Sequence, residues 1–220
     1  MVCNMKTQSN GKPAFPTGVY GITAEKFSAG RTNLEVVQQM IAGGIRIIQY
    51  REKRPYKSFA TMLTECRAIR RLTREAGIIF IVNDYPDLAR LVDADGVHVG
   101  QDDFPVPDIR RLLGPDKLIG LSTHGPEQAQ AAVLAGADYI GVGPIFSTKT
   151  KDDVCAPVGL GYLDHVVRTS PLPFVVIGGI KEHNLGEVLA HGAKTVCLVT
   201  EIVGAADIAA TVRRLQAACI

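Results

Sequence analysis

Short apolar runs rich in valine and isoleucine alternate along the chain with longer stretches whose apolar positions recur at helical spacing. Eight runs read as strands: GVYGIT, GIRIIQYR, IIFIVND, GVHVG, LIGLST, YIGVGP, FVVIGG and TVCLVT, from about Gly18 to Thr200. Between them the spacing predicts helices over stretches such as NLEVVQQMIAGG, FATMLTECRAIRRLTREAG, EQAQAAVLAGA, NLGEVLAHGA and a final AADIAATVRRLQAA. Several close on glycine, as helix C-termini commonly do. Alternating strands and helices specify a parallel sheet covered by helices. Eight such units in roughly two hundred residues predict a single α/β domain, a compact (β/α)8 TIM barrel. A doubly wound open sheet is the alternative. The first unit weakens it, because GVYGIT runs straight into AEKFSAG without the G-x-G-x-x-G of a dinucleotide site. The barrel is expected over 16–220. Residues 1–15 are expected to form a short loose tail, since MVCNMKTQSNGKPAFP is polar, proline-broken and unlike a signal peptide.

Composition narrows the function. The chain has 220 residues, 46% hydrophobic and 21% charged, with a formal net charge of +2. That balance gives no broad basic surface, so neither nucleic acid nor a membrane surface is an expected partner, and any anion site must be local. No apolar run is long enough to span a bilayer. The five cysteines are odd in number and scattered without a C-x-x-C pair, which argues against a disulfide framework or a zinc cluster and for a reducing cytoplasm.

The polar residues gather at the strand ends, where a barrel keeps its chemistry. In IIQYREK, alternation places Gln49, Arg51 and Lys53 on the face that Ile45 and Ile47 give to the interior. The third strand ends in Asn83 and Asp84. The fourth ends in His98, Gln101, Asp102 and Asp103, the fifth in Ser122, Thr123 and His124. The sixth runs into the loop Ser147, Thr148, Lys149, Thr150, Lys151, the seventh ends in Gly178 and Gly179, and the eighth in Thr200. Two anion sites separate within this ring. Arg51 and Lys53 together with Asp84 and Asp103 have mixed signs, which suit Mg²⁺ and a diphosphate better than a lone phosphate. The glycine turn after the seventh strand, the KEHN segment opening a helix, and the LVTE end of the eighth strand offer backbone amides for a monophosphate. Two such sites in one mouth imply two small-molecule substrates and a transfer in which diphosphate leaves.

Seven stretches in chain order carry a resemblance: QYREK at Gln49, IVND at Ile81, DGVHVGQDD at Asp95, GLSTH at Gly120, YIGVGPIFSTKTK at Tyr139, IGGI at Ile177 and LVTEI at Leu198. From about Tyr20 to Val203 the chain resembles the thiamine phosphate synthase family, also called thiamine-phosphate pyrophosphorylase. The resemblance implies that hydroxymethylpyrimidine diphosphate and hydroxyethylthiazole phosphate are joined, with Mg²⁺ as cofactor, by a dissociative mechanism in which a pyrimidine carbocation is captured by the thiazole nitrogen. It implies that Gln49, Arg51, Lys53 and Asn83 bind the diphosphate and that Asp84 and Asp103 hold the metal. Ser122 and Lys151 would line the pyrimidine diphosphate site, with Arg51, Lys53, Ser122 and Lys151 as the catalytic group. Thr148 and Thr150 would contact the thiazole phosphate, and Gly179, Val199 and Thr200 would offer it backbone groups. Tyr85 stands where some members carry a second acid. Lys149 is more basic than the residue many members have.

Plainer roles compete at several positions. Asp84 could cap the helix that starts at YPDLARL. Asp102 reads as a solvent-facing neighbour of Asp103, the pair Asp152 and Asp153 as part of a polar loop, and Cys155 as a passive thiol. His98 reads as a satisfied barrel histidine rather than a base, while His124 sits near enough to Ser122 for a pyrimidine contact. His165, His183 and His191 read as surface positions in helical segments. Competing functions are a thiazole tautomerase on the same barrel, a non-catalytic sensor of thiamine phosphates, and an unrelated phosphosugar isomerase. The diphosphate-site residues argue against the first. A homo-oligomer is compatible with the sequence, which does not specify one.

Overall fold

The computed structural model describes residues 11–148, 150 and 155–219. Eight parallel strands close into a barrel in sequence order: β1 Gly18–Ile22, β2 Ile47–Tyr50, β3 Ile79–Asn83, β4 Gly96–Val99, β5 Leu118–Thr123, β6 Tyr139–Val142, β7 Phe174–Ile177 and β8 Thr195–Cys197. Closure pairs β8 with β1 through Gly18↔Thr195 and Val19↔Val196, so the sheet has no free edge. The open, doubly wound alternative is excluded. Around the barrel run α1 Asn33–Ala42, α2 Phe59–Ala76, α3 Pro86–Leu91, α4 Val106–Leu113, α5 Pro126–Ala135, α6 Gly159–Thr169, α7 Leu185–Ala190, α8 Val199–Val203 and α9 Ile208–Ala218. Helix starts follow the side chains that satisfy them. Thr32 and Glu35 form a reciprocal capping box at α1, Ser58 caps α2, and Asp207 caps α9.

Two apolar layers hold the fold. Tyr20, Ile22, Ile47, Ile79, Ile81, Leu118, Tyr139, Val175 and Cys197 fill the barrel interior. The other strand faces pack under the helices. Alternation decides which residue goes where, and it sends Gln49 and His98 inward with the first set, both buried.

Four expectations change. Ile45 lies in the outer layer rather than inside the barrel, close to Met40 of α1. The strand proper begins later, at Ile47. β2 also stops at Tyr50, so Arg51 and Lys53 lie in the loop that follows it rather than in the strand. The KEHN segment is a turn, with the Lys181 N–H already donating to Asn184 Oδ1, and α7 starts only at Leu185. β8 ends at Cys197 and the LVTE segment turns into α8, which places Val199 and Thr200 in a first helical turn. At the other end, Phe15 packs at 4.6 Å from the Tyr139 ring and 6.3 Å from that of Tyr20, and Lys12 pairs with Asp138. These contacts tie Lys12 and Phe15 to the barrel bottom.

Candidate active site

Arg51 leaves the end of β2 with its N–H donating to Thr23 Oγ1 at 2.9 Å, which anchors the loop to the end of β1. Its Nε is buried and has no hydrogen-bond partner among the described residues. An unpaired buried donor costs about 1–3 kcal/mol. Tyr50 faces away, as the alternation requires, while Glu52 shares a cavity lining with Arg51. Tyr50 donates to Glu65 at 2.7 Å, and Glu52 accepts from Asn33 at 2.9 Å and from the Glu25 N–H at 3.2 Å. A cavity of about 440 Å³ opens beside this loop, lined among others by Arg51, Lys53, Tyr56, Lys57 and Thr150.

Asp84 follows β3 with φ at +61°, a left-handed conformation that Asp tolerates better than most residues. Its N–H donates to the His98 carbonyl at 2.9 Å, so the two strand ends hold the turn in place. The capping alternative fails, because α3 begins after Tyr85 and has no side-chain cap. The carboxylate faces Lys53 at 3.3 Å instead. Burial pushes the Asp84 carboxyl above its ordinary value, and the nearby Asp103 carboxylate pushes it the same way, against the pull of Lys53. Asp103 accepts from the Gly100 N–H at 2.7 Å, and both it and its neighbour Asp102 are exposed. Two carboxylates crowd one another beside a cation, and those hard oxygens fit a divalent metal. Among the described residues no group of three or more His, Cys, Asp or Glu side chains forms a metal site, so the remaining ligands would be water or substrate oxygens.

Across the mouth, Gln49 Nε2 donates to Tyr20 at 2.9 Å, and Asn83 is buried at the end of β3. Ser122 Oγ lies 3.0 Å from His98 Nε2, and His98 Nδ1 lies 3.1 Å from Tyr139 Oη. His98 is therefore a satisfied interior histidine. His124 is exposed, with Nδ1 at 2.6 Å from the Gly143 carbonyl oxygen, so this nitrogen is engaged by backbone rather than aimed at the mouth.

The remaining predicted positions meet above β6, β7 and β8. Thr148 and Thr150 hydroxyls lie 3.0 Å apart. Gly178 and Gly179 have φ of +101° and +66°, and a Cβ on Gly179 would sit 2.6 Å from the Ser147 carbonyl oxygen. Only glycine lets the two loops cross this closely. Val199 and Thr200 open α8, and amides in a first turn have no intrahelical acceptor. Lys181, named above only for the backbone of KEHN, also brings its side chain here: its Nζ reaches Thr200 Oγ1 at 2.8 Å and Glu201 at 2.9 Å. A lysine directly after IGGI was the available signal. His191 pairs with Asp164 at 2.7 Å, and His183 is an exposed turn residue. Lys149, Lys151, Asp152 and Asp153 lie outside the described residues.

A closed parallel barrel with mixed charge on one side of its mouth and a glycine crossing on the other defines a phosphate-handling barrel enzyme. Residues 19–202 match the thiamine monophosphate synthase family, and the chain belongs to that family. Its activity is accordingly that of a transferase forming thiamine monophosphate. A thiamine-phosphate synthase of Pelotomaculum thermopropionicum is 63% identical over 200 residues, 90% of each chain. One from Lawsonia intracellularis is 54% identical over 202 residues, 92% of each. Among solved structures, a thiamine phosphate pyrophosphorylase from Pyrococcus furiosus superposes with a TM-score of 0.83 at 32% identity, covering 92% of this chain and 95% of that one.

Proposed function

We propose that the chain joins hydroxymethylpyrimidine diphosphate to hydroxyethylthiazole phosphate, and that the carbon–oxygen bond to the diphosphate breaks before the new bond forms. The bonding electron pair leaves with the diphosphate, and the thiazole nitrogen then donates its lone pair to the pyrimidine carbocation. No side-chain nucleophile is needed, so the protein has to stabilise the departing charge and hold two partners in line.

The unpartnered, buried Arg51 Nε beside Lys53 carries this reading. A donor left unpaired among the described residues is available to a substrate oxygen. Arg51, Lys53 and Lys151 would neutralise the diphosphate, and Gln49, Asn83 and Ser122 would fix its orientation and that of the pyrimidine. Thr148, Thr150, Gly179, Val199 and Thr200 would hold the thiazole phosphate, with the Lys181 amine close by. Asp84 and Asp103 fit a Mg²⁺ ion, which when bound supplies further positive charge to the leaving diphosphate.

The setting in this reading is cytoplasmic, supported by the reduced thiols of Cys66, Cys155 and Cys219 among the described residues. No described helix is long and apolar enough to cross a membrane. Pyrophosphate release from purified protein tests the function: it should require both substrates and Mg²⁺. Binding of both substrates without release would instead make the chain a sensor, and release from the pyrimidine diphosphate alone would make it a hydrolase.

A further inference from the structure

We infer that Gln49, Tyr20, Tyr139, His98 and Ser122 form one polarised hydrogen-bond chain through the barrel, by which the Gln49 amide on one side of the mouth sets how Ser122 presents its hydroxyl on the other. The four links are 2.9 Å from Gln49 to Tyr20, 3.0 Å from Tyr20 to Tyr139, 3.1 Å from Tyr139 to His98 Nδ1 and 3.0 Å from His98 Nε2 to Ser122. They join five different strands, and both tyrosines are fully buried.

Counting protons gives the chain its direction. Each phenol has one proton, and a neutral imidazole has one N–H and one lone pair. Tyr20 accepts from the Gln49 N–H and passes its proton to Tyr139. Tyr139 in turn donates to His98 Nδ1, so the imidazole proton sits on Nε2 and points at Ser122 Oγ. The Ser122 proton is then released to donate into the mouth. Were the amide turned over, every link would reverse and Ser122 would spend its proton on His98. An arrangement with one link reversed leaves a buried phenol proton without an acceptor or sets two donors against each other at one link, at a cost the interior does not repay.

The interior is shaped around these links. A Cβ on Gly120 would stand 2.2 Å from Tyr139 Cζ and 2.4 Å from His98 Nδ1, and one on Gly141 would stand 3.2 Å from His98 Cε1. Burial raises both phenols above their ordinary value, which keeps the two protons in place. Tyr20, Tyr139 and His98 are thus positioning residues, acting through Gln49 and Ser122. The catalytic consequence rests on the reading above that Ser122 and Gln49 meet the pyrimidine diphosphate.

The test records the ring nitrogens of His98 by NMR in ¹⁵N-histidine-labelled full-length protein, assigned by loss of the signal in His98→Gln. Wild type should show the Nε2–H tautomer. Tyr20→Phe, two links away, and Gln49→Leu, three links away, should each turn it into a mixture of tautomers. A wild-type ring that is Nδ1–H or doubly protonated, or one indifferent to both substitutions, overturns the proposal. Kinetics separate the coupling from the site reading. Tyr20→Phe should raise KM for the pyrimidine diphosphate about five-fold, the loss of one ordinary hydrogen bond, with KM for the thiazole phosphate unchanged. A responding tautomer with unchanged KM upholds the coupling and removes Ser122 from the substrate site.

Discussion

Replacing Arg51 with methionine keeps an unbranched apolar stem as far as the position of Nε while removing the guanidinium. In the free protein this deletes a buried Nε that has no partner among the described residues. The backbone bond from the Arg51 N–H to Thr23 is untouched. The loss of an unsatisfied donor is worth up to about 1–3 kcal/mol in favour of the variant. Each kcal/mol moves the melting temperature of a domain this size by roughly 2–4 °C, so Tm should hold or rise by a few degrees. Activity should move the other way. A preorganised electrophile aimed at developing charge is worth about 2.7–4 kcal/mol, or roughly 10²–10³ in kcat. Thermal denaturation and pyrophosphate release on the same preparation measure both. A variant that melts several degrees lower with kcat intact would refute the reasoning, because Arg51 would then be a structural residue.

Three further outcomes follow from the geometry. Asp103→Asn should lower turnover by about 10²-fold or more, raise the Mg²⁺ needed for half-maximal rate, and leave thiazole phosphate binding by calorimetry unchanged. Gly179→Ala puts a Cβ within 2.7 Å of Phe146 Cβ at a φ of +66°, so it should cost about 2 kcal/mol in urea unfolding and raise KM for the thiazole phosphate. Burial pushes Glu65 up, but bonds from Lys57, Tyr50 and Asn33 outweigh it and hold the carboxyl below its ordinary value. The unfolded chain therefore takes up this proton first as pH falls, and the stability Glu65 contributes above its unfolded value is lost in acid. Melting curves from pH 7 downwards should fall more steeply for wild type than for Glu65→Gln.

The barrel was legible because eight apolar runs at regular spacing leave few other ways to bury the strands. The candidate site was legible where polar residues coincided with a strand end. Gln49, Asn83, Asp84 and Ser122 all lie within one residue of their strand or inside it, and alternation aims them. Backbone turns were harder to read. The departure of α8 straight from β8 turned a supposed strand end into a helical turn, and a local bond between Lys181 and Asn184 replaced the expected helix start. Tyr20 and Tyr139 went unremarked because an interior aromatic looks like packing in a sequence. Only the 3.0 Å contact between their hydroxyls, reached from strands 119 residues apart, gives them a polar role. Ile45 was misplaced for the opposite reason, since alternation was extended past the start of the strand.

Calorimetric titration of inorganic pyrophosphate tests the cradle of Arg51, Lys53, Asp84 and Asp103 most directly. Binding should be strong with Mg²⁺ and at least ten-fold weaker without it, and the difference should disappear in Asp84→Asn. Equal binding with and without Mg²⁺, or a metal effect that survives Asp84→Asn, would contradict a carboxylate-held cation at this site.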